Sequence, residues 1–111
     1  MHLNSELLFK KYALTLLHEE SRVLEIGPDS FPSTYQRISV GRYAVWNTLD
    51  VHDDARLTYP SSDQYSFDVP SNSYDVVLSG QVIEHVKKVW VWMKELARVS
   101  TNLVITVNPI R

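Results

Sequence analysis

Two carboxylates stand at the ends of apolar runs. Glu25, followed by Gly27, closes the run in VLEIGPDSF, and Asp50 closes YAVWNTLD. An acid at the end of a buried run is a ready hydrogen-bond acceptor. A glycine two residues on lets the backbone turn, or approach a ligand closely. Further along, Asp63 and Gln64 lie in the polar loop PSSDQYS, Ser79 ends the run YDVVLS, and the pair Glu84–His85 follows it. A histidine near its ordinary pKa can take or give a proton at neutral pH. Each residue also has a plain alternative. Glu25 and Gly27 could be a strand-end turn with a solvated acid, and Asp50 could open a turn before His52-Asp53-Asp54. Asp63 and Gln64 could be ordinary loop, Ser79 a small packing residue, and Glu84–His85 a capping or surface pair.

Other chemistries are poorly supported. Cysteine is absent, so there is no disulfide framework, thiolate metal site or thiol nucleophile. His2, His18 and His52 form no metal-ligand spacing with one another, and no metal is expected. The G-x-G-x-x-G pattern of dinucleotide binding, the phosphate-loop motif and the Ser-His-Asp arrangement are all missing. With 111 residues, the expectation is one domain spanning 1–111. The composition, 44% hydrophobic and 22% charged with a net charge of −2, is that of a globular chain without a broad basic footprint. Nucleic acid is therefore not expected as the main partner. No apolar run reaches the ~18 residues of a membrane span, and the charged N-terminus lacks a signal-peptide core. The expected location is the cytoplasm.

These residues need elements to position them. Residues 4–20 read as a helix capped by Asn4 or Ser5, with Leu8, Tyr12 and Leu16 repeating every fourth residue beside Leu7, Leu14 and Leu17. Arg22–Gly27, Tyr74–Ser79 and Asn102–Val107 are short, nearly continuous β-branched runs, which suit a parallel sheet covered on both faces. A helix over 85–99 between the last two makes a βαβ unit. Val86, Val89, Trp90, Met93, Leu96 and Ala97 share its apolar side, with Val91 among the charges and Trp92 at the stripe's edge. Tyr43–Asp50 is a further strand. Arg56–Tyr59 follows after about six residues, too few for a parallel crossover, so it reads as non-parallel or as no strand.

In this order the pieces resemble the class I S-adenosylmethionine-dependent methyltransferases, in particular the small-molecule methyltransferases. VLEIG resembles the family's first motif, NTLD its second, and FDVPSNSYDVVLSGQVIEHV the loop, fourth strand and turn that follow. ELARVS and LVITV continue the order, so the resemblance covers 22–107. It implies a Rossmann-like α/β fold with a mostly parallel sheet of about five strands. It implies S-adenosylmethionine as cofactor, with Glu25 and Gly27 near its methionine end and Asp50 on the ribose hydroxyls. Asp63 and Gln64 would meet the adenine, and Ser79 would lie where the fourth strand meets the cofactor. His85 becomes the candidate catalytic base for a small-molecule acceptor.

Two departures from the family pattern stand out. Asp29 and Phe31 occupy later glycine positions of the first loop, Phe31 with bulk near the cofactor's amino-acid end. The sequence also stops at Arg111, before the family's C-terminal antiparallel hairpin. Strand 103–107 is then an open edge. Either a second copy covers it, giving a homodimer through this edge and helix 86–99, or the chain is part of a longer one. The alternative to a methyltransferase is a degenerate, non-catalytic domain that serves as a binding or oligomerisation module.

Overall fold

Apolar β-branched runs fold here into a sheet that buries both faces. The computed structural model describes residues 3–80 and 82–107, with only the backbone of Glu84. Strands β1 (Arg22–Ile26), β2 (Val45–Asp50), β3 (Tyr59–Pro60), β4 (Tyr74–Gly80) and β5 (Ser100–Val107) form one sheet in the order β3-β2-β1-β4-β5. Every pairing is parallel, and Glu25 registers with Thr48 on one side and Leu78 on the other. All five carboxyl ends therefore point the same way. One face packs Leu24, Ile26, Leu49, Val77 and Trp92, and the other packs Val23, Val76, Leu78, Tyr35 and Phe9. Two layers around one parallel sheet is the α/β arrangement expected from the runs.

Strand β3 departs from expectation. It has two residues, pairs parallel to β2 through Leu49–Tyr59 and Asp50–Pro60, and follows it with no helix between. The long-crossover rule governs full strands that must clear a layer of helices. A two-residue pairing only needs the chain to loop back, and paired bonds between Thr48 and Thr58 hold that loop at 3.1 and 3.2 Å.

The N-terminal segment is helical but differs in length and phase. Helix α1 covers Leu3–Leu8, and a π-helical turn, Phe9–Ala13, and a 3-10 turn, Leu14–Leu16, continue it. The buried positions are Ser5, Phe9, Ala13 and Leu17, while Leu7, Leu8, Tyr12 and Leu16 are exposed. The expected stripe is displaced by one residue. A wide apolar face does not fix its own orientation, and the Phe9 ring settles it by packing on Tyr35 at 4.7 Å. Leu8, Tyr12 and Leu16 instead border an open groove of about 430 Å³ against Val104–Val107 of β5, the last strand of the sheet.

Helix α3 begins at Val89 and ends at Val99, later than expected. A 3-10 turn, Ile83–His85, precedes it, and Val86 is extended at φ −96° and ψ 123°. That break resets the helical phase. Trp92, Leu96 and Val99 face the core, whereas Trp90 is 86% exposed and Ala97 points outward. Trp92 thus belongs to the core, while Val91 is exposed. Glu95 and Arg98 tie α3 to the preceding loop: the Phe67 N–H donates to Glu95 at 2.6 Å, and Arg98 donates to the Phe67 carbonyl at 3.0 Å. Among the described residues no helix is long and apolar enough to cross a membrane.

The phase of α3 is testable with its two tryptophans. Trp92→Ala empties a fully buried site and is expected to cost about 3–5 kcal/mol in urea unfolding. Trp90→Ala, on the exposed side, is expected to stay within about 0.5 kcal/mol. Equal costs would overturn the assigned phase.

Candidate functional site

The site grows from the loop after β1. Gly27 has φ +69°, the left-handed region that glycine enters without strain. Its N–H donates to the Leu49 carbonyl at 2.8 Å, and an added Cβ would lie 2.5 Å from the Val82 side chain. Side-chain hydrogen bonds then hold the rest of the loop. Asp29 accepts from the Thr34 N–H at 2.9 Å and the Thr34 hydroxyl at 2.6 Å. Ser33 caps α2 (Thr34–Ile38) by accepting from the Gln36 N–H at 3.0 Å. Partial burial of Asp29 opposes ionisation. The hydrogen bonds from Thr34 and Ser30 outweigh it and hold the carboxyl below its usual range. Phe31 does not fill the cleft, because its ring lies 4.6 Å from the Arg56 guanidinium. Neither residue at a glycine position has positive φ; outside glycine, only Asn72 does among the described residues.

Glu25 is 1% exposed, and its Oε1 accepts from the Ser33 hydroxyl and from Trp46 Nε1 at 3.0 Å. Burial pushes its pKa up to about 7, although both hydrogen bonds pull it down; the Asp29 charge adds a little to the rise. Near neutrality this acid therefore holds its proton about half the time. Desolvation disfavours the anion more than two neutral donors can favour it.

Glu25, Gly27 and Asp50 line one cleft of about 330 Å³ across the carboxyl ends of β2, β1 and β4, together with Gln64 and His85. Asp50 and Gly27 are neighbours: a Cβ on Gly27 would come within 4.0 Å of Asp50 Oδ2. That same oxygen lies 3.3 Å from His52 Nδ1, and Oδ1 accepts from the Val51 N–H at 2.7 Å. Two of the expected residues lie elsewhere. Asp63 is exposed and accepts from the Tyr65 N–H at 2.7 Å, so it shapes the loop that presents Gln64. Ser79 is 1% exposed on the α3 face, because strand alternation turns it from the cleft and leaves Gly80 there. The side chain of Glu84, and His2, lie outside the described residues.

Sequence reasoning missed Tyr35 and Gly80, both of which line the cleft. Gly80 carried a signal, being one of only three glycines and standing at a strand's carboxyl end. Tyr35 carried none, since nothing local says which side of a five-residue helix is covered. Among the described residues no cluster of His, Asp or Glu could hold a metal ion. The groove beside β5 is larger but is lined mostly by apolar side chains, and a shallow polar depression lies between Glu6, Asp29, Thr34 and Arg37; the smaller cleft is the one that gathers polar groups at the carboxyl ends of β2, β1 and β4.

Comparison with known proteins gives the arrangement a context. A family model for a methyltransferase domain matches residues 38–102, more than half of the chain. The fold is similar to a SAM-dependent methyltransferase from Aquifex aeolicus, with a TM-score of 0.62 and 16% identity, covering 87% of this chain and 58% of that one. It is also similar to a chain in a complex between the Haloferax volcanii Trm112 methyltransferase activator and the putative methyltransferase. There the TM-score is 0.60 and the identity 19%, covering 82% of this chain and 46% of that one. The chain thus spans less than two thirds of either neighbour. No curated protein matches it.

The raised pKa of Glu25 has a consequence for stability. The folded state holds the Glu25 proton up to about pH 7, whereas an ordinary glutamate releases it near pH 4.5. The contribution is thus fully present below about pH 4.5 and is lost as pH rises through about 7, worth about 3 kcal/mol in all. Glu25→Gln keeps an acceptor oxygen for Ser33 and Trp46 without the titration. It is expected to remove that loss and to exceed the wild type in stability at pH 8, read by urea unfolding from pH 4 to 8. An unchanged pH profile in the variant would show that Glu25 ionises normally.

Proposed function

The chain belongs to the methyltransferase-domain family, and on that footing we propose that it binds S-adenosylmethionine across the carboxyl ends of β2, β1 and β4 and transfers its methyl group to a small-molecule acceptor. The carrying observation is that Glu25 and Asp50, on adjacent parallel strands, line one cleft with the turn at Gly27 between them. In parallel α/β sheets, ligands bind at the carboxyl ends of strands. Asp50, on the ribose side, has a lone pair to spare on each oxygen beyond its contacts with Val51 and His52, enough to accept from a vicinal diol. Gln64 offers an amide beside it for a base edge. The cleft volume of about 330 Å³ is at the lower end of the range for small-molecule sites.

When bound, S-adenosylmethionine supplies a methyl group on a sulfonium, already a good leaving group. What the chain must add is mostly alignment of donor and acceptor. Gly27 lets the backbone lie close to the ligand, and Asp50 fixes the sugar. His85, exposed at the cleft's rim, is the proposed base that accepts the proton of an acceptor hydroxyl or amine. The competing reading, a non-catalytic binding module, draws support from Glu25, whose Oε1 is already engaged by Ser33 and Trp46.

Calorimetry with S-adenosylhomocysteine tests the reading. The wild type is expected to bind at micromolar concentration. Asp50→Ala is expected to weaken binding about tenfold or more, the usual loss when a charged acceptor is removed from a hydrogen-bonded ligand. No heat at millimolar ligand would overturn the cofactor assignment and leave the binding-module reading.

A further inference from the structure

The cleft contains a buried hydroxyl that the fold leaves unused. Tyr35 is 3% exposed and lines the cleft beside Glu25, yet its hydroxyl has no hydrogen-bond partner among the described residues. The Ser5 hydroxyl, also fully buried, is near enough to favour the phenolate slightly, but neither group completes a bond. A buried hydroxyl without a partner costs about 1–3 kcal/mol relative to a satisfied one. A phenylalanine would pack on Phe9 equally well and carry no such cost. The ring is also given room: a Cβ at Gly80 would lie 2.3 Å from Tyr35 Cε2 and 2.6 Å from its hydroxyl. The end of β4 is pared down to backbone where this side chain lies.

Position says what the hydroxyl could meet. Strands β2, β1 and β4 are consecutive in the sheet, so their ends span about 10 Å at ~4.8 Å per strand. A ligand whose sugar is held at Asp50 and which runs along the cleft brings its far end to Gly80 and Tyr35. In the cofactor proposed above, that far end is an α-amino acid whose carboxylate requires hydrogen-bond donors. Burial, with the nearby Glu25 charge adding to it, holds the phenol pKa far above its ordinary value, so the group stays a donor at every working pH.

We propose that the Tyr35 hydroxyl, seated over Gly80, donates to the carboxylate of the cofactor's amino-acid arm and so positions that arm. This rests on the cofactor reading, and the test separates the two. S-adenosylhomocysteine carries the arm, while 5′-methylthioadenosine keeps the adenosyl group and lacks it. Tyr35→Phe retains the ring, its contact with Phe9 and its fit over Gly80. Titration of both ligands into wild type and variant is expected to show S-adenosylhomocysteine weakened about five- to tenfold and methylthioadenosine changed less than twofold. The melting temperature of the free variant is expected to stay level or rise, because an unsatisfied hydroxyl has gone. Equal loss for both ligands, or no loss for either, overturns the proposal. So does a melting temperature several degrees lower, which would reveal an internal partner for the hydroxyl. If the wild type binds neither ligand, the cofactor reading falls and takes this proposal with it. If it binds both and Tyr35→Phe discriminates between neither, only the role of Tyr35 falls.

Discussion

The bond set around Glu25 holds the site together. A glutamate at 1% exposure on a central strand is costly as an anion. This one avoids much of that cost by keeping its proton to about pH 7. It spends Oε1 on two donors from different elements, the Ser33 hydroxyl at the start of α2 and Trp46 Nε1 on β2. One oxygen thus locks β1 to β2 and to the helix that follows the loop. Ser33 also caps α2, so the chain from Glu25 to the first turn of α2 is continuous in hydrogen bonds. Removing the acid would orphan a capping hydroxyl and an indole N–H together.

That lock explains how the loop manages with one glycine. A loop that passes close to a ligand needs backbone freedom at the closest point, and Gly27 provides it with φ +69°. Beyond that point the loop has to be rigid, and side-chain hydrogen bonds make it so: Asp29 accepts from Thr34, Ser33 accepts from Gln36, and Arg37 donates to the Pro32 carbonyl at 2.9 Å. Phe31, which by size alone would obstruct the cleft, is drawn off towards Arg56. The second close approach is at Gly80, where the missing side chain makes room for Tyr35 and not for main chain. The two glycines that line the cleft therefore have unlike duties.

Much of the sheet was legible because continuous β-branched runs have few alternatives. β1, β4 and β5 lie where those runs are, and Asp50 ends β2 as its sequence suggests. The acids were legible for the same reason, since a strand's end is fixed once the strand is. Helix phase was not. Extrapolating from Val86 puts Trp90 inside, but the extended residue at Val86 severs that frame, and local pattern cannot show where a helix restarts. The N-terminal stripe failed by one residue because both Leu8/Tyr12/Leu16 and Phe9/Ala13/Leu17 are apolar, and the choice between them depends on Tyr35, 26 residues beyond Phe9. The side-chain direction of Ser79 was illegible for a reason of parity. The residue at a strand's end and the one after it face opposite ways, and a boundary uncertain by one residue exchanges them.

The cleft also has a direction. Its β2 end carries the Asp50 carboxylate with His52 beside it. Its β4 end carries Tyr35, held firmly protonated, next to Glu25, which is neutral or half-neutral at physiological pH. One end thus accepts hydrogen bonds and the other can donate them. For a ligand with hydroxyls at one end and a carboxylate at the other, only one orientation satisfies both. The reversed orientation would set two acceptor groups against each other at Asp50 and leave the Tyr35 hydroxyl without a carboxylate. The two acids of this cleft differ in burial: Glu25 is almost fully buried and keeps its proton to about pH 7, whereas Asp50 is half-buried at the end of β2.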